Sequence, residues 1–139
     1  MRTIKFRGFD AVGEKGWVYG DLVHNQRVTT TGLQPRIMVG GYEVIEDTVG
    51  EFTALNDNRG NEIHEGDILH VPGNDFYAEF DGVVVFSCGA FRVRSLNFGT
   101  ESDLAWCVRE RMVGDPRAEI IGNTHDNPEL LNTKLNENK

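Results

Sequence analysis

The densest run of reactive side chains is Glu62, His64, Glu65, Asp67 and His70, five groups within nine residues. Brought to one point, Glu62, His64, Asp67 and His70 would hold a divalent cation or supply paired acid and base groups. The spacing argues against it. On an extended strand His64 and Asp67 are three residues apart and point to opposite faces, and His64 shares a face with His70 only if no bulge intervenes. A turn carboxylate that accepts backbone N–H groups accounts for Asp67 without a ligand. His125 and Asp126, beside Asn123, offer a second such pair, which a helix-entry loop explains more economically. The two cysteines, Cys88 and Cys107, lie 19 positions apart with neither a CxxC nor a His at metal spacing. Free buried thiols in a reducing cytosol are therefore expected rather than a disulfide framework. No phosphate-cradling Gly loop, GxSxG elbow or HExxH helix occurs. The sequence nominates no catalytic residue, no cofactor and no metal.

A binding role has more to recommend it. Arg92 and Arg94 fall on one strand face near Phe91 and Phe98, the combination of cations and stacking rings that a nucleic-acid-binding barrel uses. Phe91 alternates to the opposite face, however, and a net charge of −8 opposes attraction to a phosphate backbone. Nucleic acid is therefore not the expected partner. The stretch from Glu43 to Asp67 holds eight acids against Arg59 alone, and Arg92 to Arg117 holds five Arg against four acids. Opposite patches of this kind can pair between identical copies, with Glu62 and Glu65 set against Arg92 and Arg94.

The elements that would position these groups are mainly strands. Val, Ile and Thr total 30, whereas Ala and Lys together total 10, a β-forming composition. Ile4 to Phe9 alternates so that Ile4 and Phe6 face inward and Lys5 and Arg7 outward. Asp10 to Gly16 reads as a hairpin connection, and Trp17 to Val23 as the returning strand. Val28–Thr31 and Arg36–Val39 read as short strands, and Thr48–Leu55 as a longer one. Asp57-Asn-Arg-Gly60 is a turn, with Gly60 at positive φ. Gly66-Asp67 opens a strand that runs to Val71. Gly82–Ser87, the Cys88-Gly89 turn and Ala90–Leu96 form the clearest hairpin. Thr100-Glu-Ser-Asp103 has the form of a capping box ahead of Leu104, Val108 and Met112, which predicts a short helix near 102–112. Glu119 to Gly122 returns to strand. Asn127 and Pro128 open a terminal helical turn, Asn as cap and Pro at the first helical position. The longest apolar run is five residues, Leu104 to Val108, so no membrane span is expected.

Three segments, in order, resemble one family. Ile4–Asp10 with Val18-Tyr-Gly-Asp21 is similar to the amino-terminal signature of YopX-family proteins. Thr48 to Leu69, which runs through a turn into the Glu-Gly-Asp strand, is similar to their central block. Glu119-Ile-Ile-Gly122-Asn123 followed by Asn127-Pro128-Glu-Leu-Leu131 resembles their ending. Ala54 and Asn56 stand where the family more often has Gly and a charged residue. The resemblance marks Gly60, Gly66, Asp67, Gly122, Asn123 and Pro128 as structural positions and supplies no catalytic residues. It implies one mainly β YopX-like domain over 1–139; the length allows two packed β halves, at about 1–47 and 48–131, and the polar stretch 132–139 is expected to fray. It further implies an SH3-like barrel around the Gly66-Asp67 strand and assembly into homo-oligomers. The expected protein is a non-enzymatic phage or prophage accessory protein in the cytoplasm of a bacterial host, acting by self-association and by binding a host or phage protein. A nucleic-acid-binding SH3- or OB-like barrel is the alternative, and a metal-dependent enzyme the third reading.

Overall fold

Strand-forming composition is realised as mainly β architecture in the computed structural model of the chain, which describes residues 1–110 and 112–131. The chain divides into two compact units, Met1–Phe52 and Thr53–Lys139. The division falls inside a strand, five residues beyond the expected 47/48 boundary. The expected frayed tail, 132–139, lies outside the described residues.

In the first unit β1 (Phe6–Phe9) and β2 (Trp17–Gly20) pair antiparallel, with Phe6 opposite Gly20 and Phe9 opposite Trp17. The loop between them is closed by the buried Asp10 carboxylate, which accepts from Val12 N at 3.2 Å and Lys15 N at 3.0 Å. The inward face of β1 is not the expected one. Ile4 is exposed, and Arg7 is buried with its guanidinium 4.6 Å from the Trp17 ring centroid. Trp17, edge-on to Phe9 at 5.5 Å, gives that cation an aromatic face which partly replaces water. Next comes β3 (Leu22–Thr29), paired with β4 (Gly32–Val39) along its whole length from Leu22↔Val39 to Thr29↔Gly32. The two short strands expected at Val28–Thr31 and Arg36–Val39 are thus parts of one long ribbon. Short β5 (Tyr42–Glu43) joins the root of β4, and a 3-10 turn spans Glu46–Thr48. Val18, Val39 and Val44 form the core, with Phe6, Leu22, Ile37 and Val49 packed against them. The first residues of β6 (Gly50–Asn56) pair with β1, Phe6 opposite Glu51.

The second unit takes up β6 at Thr53, whose hydroxyl donates to Ile63 O of β7 (Glu62–His64) at 2.8 Å. Ala54 has φ +68, a left-handed conformation that a Cβ disfavours and that a Gly would adopt without that cost. The main sheet has five antiparallel strands in the order β11 (Glu101–Asp103), β10 (Ala90–Ser95), β9 (Phe80–Ser87), β8 (Asp67–Val71), β12 (Glu119–Asn123). Ile63, Leu69, Val71, Val84 and Val93 are buried together with Leu104 and Cys107 of α1 (Leu104–Val108). A large aliphatic side chain buried in this way contributes about 1.5–3 kcal/mol. The expected barrel does not close. β11 and β12 are the two ends of an open sheet, and after three residues of β11 the chain turns into α1, which covers the core instead of adding a strand.

The helix is also shorter than 102–112. Glu101–Asp103 is strand, Asp103 stands at the N-cap without a side-chain cap bond, and Met112 is exposed. Cross-strand pairs explain this: Arg94 Nη2 lies 2.7 Å from Glu101 Oε2 and Arg92 Nη1 lies 3.0 Å from Asp103 Oδ1, which holds the intended capping segment against β10. The Cys88-Gly89 hairpin forms as expected, with φ +53 and +80 at its two turn residues. One cysteine expectation fails. Cys107 is buried, but Cys88 is exposed because it occupies the hairpin tip.

Candidate functional site

The polar residues of the central block build a framework of turns. Gly66, at φ +89, lets the chain reverse between β7 and β8, and Asp67 Oδ2 accepts from His64 N at 2.7 Å across that reversal. Asp57 does more. Its Oδ1 accepts from Arg59 N at 2.9 Å and Asn61 N at 2.8 Å, closing the turn in which Gly60 has φ +83. Its Oδ2 accepts from Ile120 N at 3.1 Å, which ties β12 to the same turn. Burial pushes the Asp57 carboxyl up, but the N–H groups of Ile120, Asn61 and Arg59 and the Asn61 amide outweigh it and hold it below the usual carboxylate range. The turn was legible in the sequence; the reach to Ile120, 63 residues away, was not.

The acid and histidine cluster disperses. His64 is buried in β7, whereas His70 in β8 sits opposite Asp81 of β9. His70 Nδ1 is 2.7 Å from Asp81 Oδ1, so Nδ1 carries the proton donated to that carboxylate, and Nε2 is 3.6 Å from Glu79 Oε2. Among the described residues no three His, Cys, Asp or Glu side chains are arranged to hold a metal ion. At the other end, Asn123 Oδ1 accepts from His125 N and Asp126 N, a side-chain-closed turn. Gly122 leaves room for the Asn127 side chain, since a Cβ there would lie 2.5 Å from Asn127 Oδ1 and displace it. Asn127 does not cap as expected; its Oδ1 accepts from Asn123 N at 3.2 Å, and Pro128 begins the helical turn at 128–131.

Arg92 and Arg94 share a face, as alternation implies, but the ion pairs with Asp103 and Glu101 occupy their charge within the chain. The Arg94 and Ser87 hydrogen bonds and the two guanidinium charges hold the Glu101 carboxyl below its usual range. Glu62 is exposed and Glu65 half-buried at the β7–β8 reversal. Beside β9 and β10 an apolar groove of about 600 Å³ is lined by Val83, Val85, Leu96, Phe98 and Leu131, with Arg94 and Thr124 among its polar members. In the first unit the middle of the β3–β4 ribbon is exposed on both faces. The sequence reading missed that surface.

What these features define is a mainly β, two-unit scaffold whose described polar groups stabilise turns. The chain belongs to the YopX family: the family model for YopX protein matches residues 5–132. It is similar in fold to protein EF1440 from Enterococcus faecalis, with a TM-score of 0.55 and 23% identity over 94% of this chain and 99% of that one. It is also similar to protein yopX from Bacillus subtilis, with a TM-score of 0.49 and 21% identity over 94% of this chain and 97% of that one. No curated protein matches it.

Proposed function

We propose that this YopX-family protein is a non-enzymatic phage or prophage accessory protein that works in the bacterial cytoplasm by binding protein, including further copies of itself. The observation that carries the reading is apolar surface left bare in groups. Val28 and Leu33 stand exposed at the far end of the ribbon, and Phe98 stands exposed beside the apolar groove. Grouped exposed apolar side chains mark interaction surfaces, whereas scattered ones do not. The groups that could do acid–base chemistry favour the same reading, since Asp57 and Asp67 accept backbone N–H groups and His70 is held by Asp81. No helix among the described residues is long and apolar enough to cross a membrane.

Light scattering coupled to size-exclusion chromatography tests the self-association half. At micromolar protein the expected mass is a multiple of 15.6 kDa. A 15.6 kDa species at every concentration would remove self-association and leave a foreign protein as the only form of the reading.

A further inference from the structure

The edges of the strands are guarded unequally. In the β3–β4 ribbon a two-residue loop, Thr30-Thr31, joins Thr29 to Gly32. A loop of that length makes the residues flanking it a hydrogen-bonded pair, and bonded and non-bonded pairs alternate from there. Thr29, Arg27, Asn25 and Val23 therefore bond to β4, and Gly40 N, which donates to Asp21 O at 3.1 Å, continues the same series. The backbone groups of His24, Gln26 and Val28 point away from β4, and β3 is the end strand of its sheet. β4 is closed on its own outer side. There Val44 N donates to Ile37 O at 3.1 Å, β5 pairs at Val39, and Pro35, opposite Gln26, has no N–H to offer. On β12 the side chains of Asp57 and Asn127 take the N–H groups of Ile120 and Asn123. β3 has no such guard. It contains no Pro, Gly, Lys or acid, and Val23 to Val28 are exposed. An edge strand of eight residues in this state is a template for one more strand.

We propose that this added strand is β3 of a second copy, paired antiparallel about a twofold axis at Asn25. This rests on the self-association reading and names its surface. Two observations favour a copy of the same chain over a foreign strand. The first is that the register is self-complementary. With Asn25 opposite Asn25, His24 meets Gln26 and Leu22 meets Val28, all of them in the series that bonds away from β4. Leu22 packs on the core of the first unit, and the second copy's Val28, 84% exposed in the single chain, comes to lie beside it. On the opposite face Val23 meets Arg27, and the two Asn25 carboxamides, each accepting from Arg36 Nε at 2.7 Å, stand side by side. Moving the axis breaks this match. At Gln26 it sets Val28 against His24, and at Arg27 it sets two guanidinium groups together. The second observation is charge. Like-charge repulsion opposes contact between copies of a protein with a net charge of −8. The 21 residues from Leu22 to Tyr42 contain no Asp or Glu, so the paired ribbons set no carboxylate of their own against another. The product is a four-stranded sheet, β4-β3-β3-β4, in a closed isologous dimer that leaves no β3 edge for a third copy.

The test combines light scattering over a dilution series, melting curves to confirm folding, and disulfide trapping. Wild type should be a dimer of twice 15.6 kDa at micromolar protein. Gln26→Pro removes one outward N–H from each copy and leaves the β3–β4 bonds in place, so it should raise the dissociation constant about tenfold or more. Gln26→Thr keeps that N–H and should dimerise as wild type does. For trapping, Cys88→Asn first removes the exposed thiol. Facing residues of a non-hydrogen-bonded antiparallel pair have Cα atoms about 4.5 Å apart, within disulfide reach. Asn25→Cys should therefore give a covalent dimer on mild oxidation, and Arg27→Cys, which faces Val23 of the second copy, should not. If Gln26→Pro fails to fold, the trapping result decides. A folded Gln26→Pro that dimerises like wild type, or trapping at Arg27→Cys in place of Asn25→Cys, would overturn this pairing while leaving self-association standing. Equal losses in Gln26→Pro and Gln26→Thr would overturn it in favour of a side-chain contact. A monomeric wild type would overturn both readings at once and leave the edge to a foreign strand.

Discussion

The chain contains two long hairpins that solve opposite problems. The β9–β10 hairpin buries Val84 and Val93 on one face and turns through Cys88 and Gly89, both at positive φ, the twist-matched geometry of a two-residue turn. The β3–β4 ribbon has no fully buried residue before Val39. Its tip, Thr30 and Thr31, is held by side chains, with Thr29 Oγ1 donating to Gly32 O at 2.7 Å and accepting from Thr31 N at 3.3 Å. One hairpin is fixed by what it covers. The other is fixed by its own ladder and by its root. Gly40 makes that root possible, because a Cβ there would lie 2.4 Å from Tyr19 O. Regular hydrogen bonding alone therefore says little about how much an element contributes to stability; the buried face decides that.

The contrast can be broken by mutation, most severely in the core. Leu69→Ala, in strand β8 of the main sheet and fully buried, should cost about 2–5 kcal/mol in urea denaturation; a loss below 1 kcal/mol would mean that the second unit is not stabilised by this core. Asp57→Ala removes the acceptor for three backbone N–H groups and should cost about 2–3 kcal/mol. Because the folded Asp57 carboxyl sits below its unfolded value, its stabilisation is present above the ordinary carboxylate pKa near 4 and is lost as pH falls through the lower folded value. Wild type and Asp57→Ala should thus converge in stability in strong acid, which a pH series of melting curves will show. A smaller effect, and a gain, is expected at the hairpin tip. Cys88→Asn places a residue tolerant of positive φ there and should stabilise by about 0.5–1 kcal/mol. Least of all, Leu33→Ser in the ribbon should change monomer stability by no more than about 0.5 kcal/mol. A large loss there, measured on dissociated protein, would show that the ribbon is covered within the chain.

These magnitudes follow the legibility of the sequence. Elements with a buried face were readable, because burial leaves alternation behind: the β9–β10 hairpin, the Gly66-Asp67 strand and the Asp57–Gly60 turn all stand where composition and spacing put them. The ribbon was read as separate short strands because two exposed faces impose no apolar period, and its tip carries its glycine only at the closing position. Long-range contacts were invisible. Nothing local in Thr100–Asp103 distinguishes a capping box from a strand held by Arg92 and Arg94, and nothing near Arg7 announces that Trp17 will cover it. The candidate metal cluster failed for a local reason with a long-range partner. The Gly66 reversal put His64 and His70 on different strands, and Asp81 then took the second histidine.

The ribbon's anchorage has a consequence for inheritance. Its root is constrained, with Gly20 and Gly40 in close backbone approach and Leu22, Ile37 and Val39 in the core, while the side chains from Val23 to Val28 and from Leu33 to Pro35 are exposed. Substitutions at such exposed positions usually change stability by no more than about 0.5 kcal/mol. Surface chemistry and foldability can therefore change along separate coordinates, and related chains can rewrite the ten exposed ribbon positions without first acquiring a more stable core.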